Sequence, residues 1–179
     1  MIAFDKLSAQ VPALRSEWQN AKPFSHIMID NFLSAETADQ ISDAFDATSD
    51  GWLFHNHYNE RKYCHSKKEL MAPAIKELFG DLESPQWLEF LGKVTGIPKL
   101  VANPTLDGAS GLNKSLRGCY LNMHRESFGH NEHATWQRQL NLLLYLTKDW
   151  REEWEERWNC TTTERVKVSS ELRRFSIGC

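Results

Sequence analysis

The sequence predicts a protein of the α+β class, because helical and strand patterns occupy largely separate parts of the chain. Four segments before residue 97 carry apolar side chains at helical spacing, whereas the segments that begin at Tyr120 and Asn141 have the pattern of strands. With 179 residues, 41% of them hydrophobic, the chain is long enough for one domain with a core and too short for two. We therefore expect a single domain over residues 1–179.

The first three elements follow from spacing, alternation and capping. Apolar residues at helical spacing predict a helix over residues 8–20, with Pro12 near its start. Alternating apolar residues predict a short strand over residues 25–29. Ser34 is a side chain suited to cap a second helix, which runs to Phe45.

Residues 48–64 lack clean periodicity, so we expect a loop with one strand over residues 52–55. No carboxylate or cysteine stands at ligand spacing among the histidines of this region. We expect these histidines to be solvated or to pack in the core: His55, His57 and His65.

Two further helices are predicted by their end signals. Ser66 and Glu69 form a capping box, which predicts a helix that ends at Gly80. Ser84, followed by proline, predicts the start of the next helix, and Gly96 marks its end. The apolar stripes of both helices indicate core packing.

The strand that begins at Tyr120 contains a candidate metal site. Side chains two positions apart in a strand point to the same face, so His124 and Glu126 can converge while Arg125 points away. An imidazole and a carboxylate are two members of the 2-His-1-carboxylate set that binds Fe(II) in non-haem oxygenases. A histidine beside an apolar strand also occurs as a structural residue, and the triplet alone does not separate the two interpretations.

Three segments in the same order resemble one family: residues 23–33, 120–126 and 139–150. They are similar to the 2-oxoglutarate- and Fe(II)-dependent dioxygenases of the prolyl 4-hydroxylase-like group, and the resemblance extends over about residues 23–154. It implies a double-stranded β-helix, a jelly-roll core of the cupin type, with N-terminal helices that buttress the sheet. It also implies Fe(II) held by His124 and Glu126, 2-oxoglutarate as co-substrate and ascorbate as a further requirement.

The run over residues 141–146 is almost continuously apolar, which predicts a strand buried on both faces, with Tyr145 as the polar exception. In the resembling hydroxylases, a tyrosine before the Lys-Asp-Trp turn donates its hydroxyl to the distal carboxylate of 2-oxoglutarate. The resemblance therefore assigns this role to Tyr145. The alternative is a core tyrosine whose hydroxyl bonds to a backbone group or water.

The resemblance fails after Trp154. Residues 155–179 lack the Gly-Gly turn, the further apolar strand, the distal histidine ligand and the basic residue that pairs with the keto acid in this family; no histidine follows His133. We expect a β-helix incomplete at this end, with unpaired strand edges and reduced stability. One hypothesis is a shift of reading frame, because one guanine added after the Trp154 codon can give Trp-Gly-Gly-Ala-Met-Glu-Leu-Tyr-Asp-Asp; the nucleotide sequence tests it.

Three functions remain open from these observations. The first is a dioxygenase that hydroxylates a peptidyl carbon, prolyl included, or a small-molecule carbon. The second is a catalytically inactive remnant, and the third is a cupin-like module that binds its ligand without redox chemistry. The sequence leaves the substrate and the oligomeric state open.

Composition bears on partners and compartment. The formal charge of −3 gives no reason to expect nucleic acid or an anionic membrane as a partner. The four cysteines are widely spaced, which is typical of free thiols in a reducing compartment. The sequence has neither a signal-peptide pattern nor an apolar stretch of membrane-spanning length, so we expect a soluble cytoplasmic protein.

Overall fold

The structure, a computed structural model, describes residues 1–103, 106, 110–122 and 136–148, and the backbone of Arg174–Gly178. In this part of the chain, helices and antiparallel strands form a mixed α+β fold, as predicted. A 3-10 turn at Lys68–Leu70 precedes the third helix. The elements are α1 (Phe4–Asn20), β1 (His26–Asp30), α2 (Ala35–Asp46), β2 (Leu53–Asn56), β3 (Glu60–His65), α3 (Pro73–Leu82), α4 (Pro85–Thr95), β4 (Leu112–Lys114), β5 (Tyr120–Leu121), β6 (Asn141–Leu144) and β7 (Arg174–Gly178).

Helix α1 begins about one turn earlier than predicted, so Pro12 lies inside it rather than at its start. A proline in a helix interior removes one hydrogen bond and costs about 3 kcal/mol. The helix persists because Leu7, Leu14 and Trp18 are all buried on one side of it. Each such side chain contributes about 1.5–3 kcal/mol when it leaves water, which outweighs the proline.

Helices α2 and α4 have the predicted caps. The Ser34 hydroxyl accepts a hydrogen bond from the Thr37 amide at 3.1 Å, and the Ser84 hydroxyl accepts one from the Trp87 amide at 3.2 Å. Gly96 ends α4 in the left-handed conformation, with φ of 76°. These ends were predictable because capping depends on residues close together in the sequence.

The predicted limits of α3 are wrong. The capping box does not form; the chain makes the 3-10 turn instead, and Pro73 occupies the first turn of α3. Ala72 before it is extended, as the residue before a proline prefers to be. The helix also continues past Gly80, since a helical glycine costs only about 1 kcal/mol and Leu82 packs against the core.

The first sheet has the strand order β1-β7-β6, and both of its pairings are antiparallel. Ile27 is in register with Ile177, which is in register with Leu142. The central strand β7 comes from the divergent tail. The tail therefore pairs one edge each of β1 and β6, while among the described strands β1 and β6 remain the edge strands of an open sheet.

The second sheet has the order β2-β3-β4, and β5 pairs with the other half of β3. Strands β2 and β3 form a hairpin that closes with reciprocal backbone hydrogen bonds between His57 and Glu60. The sequence predicted a loop with one strand here, so β3 was missed. Its residues are polar and aromatic, and they form a strand because β2, β4 and β5 supply hydrogen-bond partners.

Two apolar clusters hold the elements together. The larger one joins α1, α2 and α4 to one face of the first sheet, through Ile27 and Ile29 of β1 and Leu142 and Leu144 of β6. The smaller one joins α3 to β4 through Ile75 and Leu112. The described strands form open antiparallel sheets, so the α+β class is established and the jelly-roll core is not. None of the described helices is both long enough and apolar enough to cross a membrane.

Candidate functional site

Tyr145 follows the last residue of β6 and lies on the sheet face away from the helices. Leu142, Leu144 and Leu146 all pack against the larger core. Because successive side chains of an extended chain alternate, Tyr145 shares the opposite face with Leu143. The Tyr145 side chain is half-buried. A phenol in this position combines an apolar ring contact with a hydroxyl that can reach a ligand.

Strand β6 is less buried than predicted. All four of its residues are half-buried, and none is fully enclosed. The helices cover the face that carries Leu142 and Leu144. Asn141 and Leu143 lie on the other face, and Tyr145 continues this alternation.

The two predicted metal ligands, His124 and Glu126, lie outside the described residues. The strand that precedes them is described over Tyr120–Leu121, where β5 pairs with Glu60 and Arg61. Asn122 continues this attachment, since its amide donates to the Asn59 carbonyl at 2.7 Å. Among the residues that the structure describes, no three histidine, cysteine or acidic side chains form a group that could hold a metal ion.

Helix α2 holds the chain that follows Tyr145. The Ser42 hydroxyl donates to the Leu146 carbonyl at 2.8 Å, and Ser42 is only 4% exposed. Lys148 forms an ion pair with Asp43, with Nζ 2.5 Å from Oδ1, and its Nζ lies 3.8 Å from Asp39 Oδ1. The hydrogen bond that Lys148 donates to the Asp43 carboxylate raises the pKa of Lys148 above its ordinary value. Sequence analysis missed Ser42, because nothing in the local sequence marks a serine that bonds across 104 residues.

A polar cluster lies on one face of the β2–β3 hairpin. His55 Nδ1 is 3.6 Å from Glu60 Oε1, and Lys62 Nζ is 2.9 Å from Glu60 Oε2. The hairpin thus brings a carboxylate to His55, a proximity that the spacing in the sequence does not reveal. Lys62 is 17% exposed, so its charge is partly desolvated and depends on Glu60 as its partner.

Cys64 continues this face, and burial raises the pKa of its thiol. The Lys62 charge lowers that pKa and the Glu60 charge raises it, but both effects are smaller than desolvation. The thiol donates to Asn113 Oδ1 at 3.2 Å. In the described residues Cys64 and Cys119 are free thiols, as predicted, and the other two cysteines lie outside them.

His65 is a packing residue, as predicted. It is completely buried, and its ring meets the Trp52 ring edge-on at 5.5 Å between centroids. Neither ring nitrogen has a hydrogen-bond partner among the described residues. Gly51 makes this position possible, because a Cβ at residue 51 would lie 2.6 Å from His65 Nε2. His55 is half-buried and His57 is exposed.

Comparison of the chain with protein-family models finds no match, and comparison with curated proteins finds none either.

Proposed function

We propose that the chain is a 2-oxoglutarate- and Fe(II)-dependent dioxygenase of the prolyl 4-hydroxylase-like group, which hydroxylates a peptidyl or small-molecule carbon. One observation carries the proposal. Tyr145 comes directly after β6 and three residues before Lys148, and its neighbours Leu144 and Leu146 pack against the helical core, so alternation places Tyr145 on the other face of the sheet. A tyrosine buried in the helical core could not reach a co-substrate.

The fold agrees with this proposal at a coarse level. In a double-stranded β-helix, early strands pair with late ones and helices cover the outside of one sheet. Strand β1 pairs with β7, 144 or more residues later in the sequence, and α1 and α4 pack behind β1. These features support the proposed core.

The proposal gives each residue a distinct task. His124, as neutral imidazole, and Glu126, as carboxylate, would bind Fe(II), which supplies the oxygen chemistry that couples 2-oxoglutarate decarboxylation to substrate hydroxylation. Tyr145 would donate its phenol hydrogen to the distal carboxylate of 2-oxoglutarate and so orient the co-substrate. Leu143, on the same face, would exclude water from that end of the pocket.

A second candidate, a catalytically inactive remnant, is favoured by one observation: no histidine follows His133. Without a second imidazole the iron would have only two protein ligands. Arginine cannot replace it, because a guanidinium has no lone pair to give. Weak retention of iron is thus expected even if the site functions.

The test is a coupled assay with added Fe(II), ascorbate and 2-oxoglutarate. We expect succinate to form as 2-oxoglutarate is consumed, and His124→Ala to abolish the reaction. Tyr145→Phe should raise KM for 2-oxoglutarate roughly tenfold, because it removes one hydrogen bond to a charged group. Tyr58→Phe is the matched control, since Tyr58 is 76% exposed on the hairpin.

The other functions predict different results. Failure to bind iron, together with no turnover, would identify the inactive remnant. Binding of 2-oxoglutarate that survives complete removal of metal would identify a binding module without redox chemistry. Equal KM values for Tyr145→Phe and wild type would contradict the role of Tyr145.

A further inference from the structure

The hydroxyl of Ser42 is used differently from the two threonine hydroxyls at the ends of helices. Thr48 and Thr95 donate to the carbonyls four residues before them, at 2.9 and 2.8 Å. This is the usual local bond of a hydroxyl in or beside a helix. Ser42 donates instead to Leu146, in a distant segment of the chain. The bond therefore specifies a tertiary contact between α2 and the chain after β6.

The Ser42 bond is the more effective of the two attachments between α2 and this segment. Lys148 and its acidic partners are exposed, and such ion pairs are weak because water and salt screen them. Ser42 is almost completely buried, so its hydroxyl and the Leu146 carbonyl would each lose a partner if the bond broke. Ser42 thus determines where the Leu146 carbonyl points.

The position of Leu146 limits the freedom of Tyr145. Leu144 and Leu146 flank Tyr145, and both side chains pack into the larger core. The hydrogen bond from Ser42 fixes the peptide group on the far side of Leu146. With both neighbours held, the backbone of Tyr145 has little room to rotate, so the direction of its Cα–Cβ bond is set and fewer directions remain open to the phenol.

We propose that Ser42 is a positioning residue for Tyr145, holding its phenol in the orientation that receives the distal carboxylate of 2-oxoglutarate. This inference rests on the proposed function. Ser42 itself touches neither substrate nor iron in this role. It acts by preorganisation, which reduces the ordering that ligand binding would otherwise require.

The first experiment follows Tyr145 directly, without any ligand. The chain has four tyrosines, so uniform 3-fluorotyrosine labelling gives four fluorine resonances, and Tyr145→Phe identifies the one from Tyr145. We expect Ser42→Ala to shift or broaden this resonance alone, and Ser42→Thr, which keeps a hydroxyl, to restore it. Gln40→Ala is the matched control, because Gln40 is an exposed residue of α2.

The second experiment is a double-mutant cycle on 2-oxoglutarate turnover. We expect Ser42→Ala to raise KM for 2-oxoglutarate about fivefold with kcat nearly unchanged, since it weakens one hydrogen bond. The same substitution should have no effect in the Tyr145→Phe background. A general loss of stability would instead reduce the amount of active enzyme in both backgrounds.

The outcomes separate this inference from the proposed function. An unchanged Tyr145 resonance in Ser42→Ala, or an equal KM effect in both backgrounds, would overturn the positioning role while the dioxygenase proposal stands. A wild-type chain that does not bind 2-oxoglutarate would overturn the proposed function and, with it, the role of Ser42 in orienting Tyr145 toward that co-substrate.

Discussion

Cys64 and His65 are consecutive residues of β3 with unrelated surroundings, because neighbouring side chains of a strand point to opposite faces. Cys64 shares its face with the charged pair Glu60 and Lys62. His65 packs against Trp52 on the other face. Both are buried, and the surroundings of each are determined by the face of the sheet on which it lies, not by its neighbour in the sequence.

The reactivity of Cys64 should follow its raised pKa. The thiolate is the reactive form, so Cys64 should be alkylated by iodoacetamide at neutral pH much more slowly than Cys119, and faster as the pH rises. Glu60→Gln should accelerate the reaction and Lys62→Met should slow it further, because they remove charges that act in opposite directions. Mass spectrometry of each cysteine peptide measures these rates.

The raised pKa of Cys64 also determines how the free energy of unfolding changes with pH. Because the folded pKa is raised, the unfolded chain loses its thiol proton first, so the contribution of Cys64 to stability falls as the pH rises above the ordinary thiol range.

For the alkylation experiment, the control is denatured protein, in which all cysteines should react at similar rates. Equal alkylation rates of Cys64 and Cys119 in the native protein would contradict the burial of the thiol.

The helices show how short signals set the limits of an element. Ser34 and Ser84 cap helices through bonds to amides three residues away. Gly96 ends α4 with a positive φ, a conformation in which a side chain is strained. Gly80 is also part of a helix but has ordinary helical backbone, and a Cβ built there meets nothing within 4 Å.

Alanine at the two glycines should therefore have opposite effects. Gly96→Ala should lower the free energy of unfolding by about 1 kcal/mol, since it forces a Cβ into the left-handed conformation. Gly80→Ala should raise it by about 0.5–1 kcal/mol, because alanine loses less backbone freedom in a helix. Urea denaturation of both variants tests this, and the same sign for both would refute the argument.

At the scale of the whole molecule, the first sheet depends on β7. This strand lies between β1 and β6 and pairs with both, so distant parts of the chain meet through its backbone. Each backbone hydrogen bond contributes about 1 kcal/mol net, and a domain has only about 5–15 kcal/mol of stability. The tail is therefore predicted to be essential to the fold.

Removal of Arg174–Cys179 should expose the edges of β1 and β6. We expect a lower Tm, a broad thermal transition and aggregation at micromolar concentration, since unpaired strand edges recruit other chains. Removal of Cys179 alone leaves β7 in place and is the matched control. Calorimetry and light scattering measure both effects. A Tm equal to that of the full chain would show that β7 does not stabilise the sheet.

Most of the helices were predictable, and much of the sheet was not. The caps at Ser34, Ser84 and Gly96 act within a few residues, so they can be recognised before the fold is known. Strand β3 escaped prediction because it lacks a clear apolar alternation. Strand β7 was not predicted, because the alternation of Phe175 and Ile177 is short and follows a charged segment.

The sequence alone determined the α+β class, the ends of α2 and α4, and the choice of His124, Glu126 and Tyr145 as candidate site residues. Only the tertiary structure decided that β7 lies between β1 and β6, and that Ser42 anchors the chain beside Tyr145. The physical reason is the range of the interactions. Capping and periodicity depend on near neighbours, whereas strand pairing and buried side-chain bonds depend on which distant surfaces pack together.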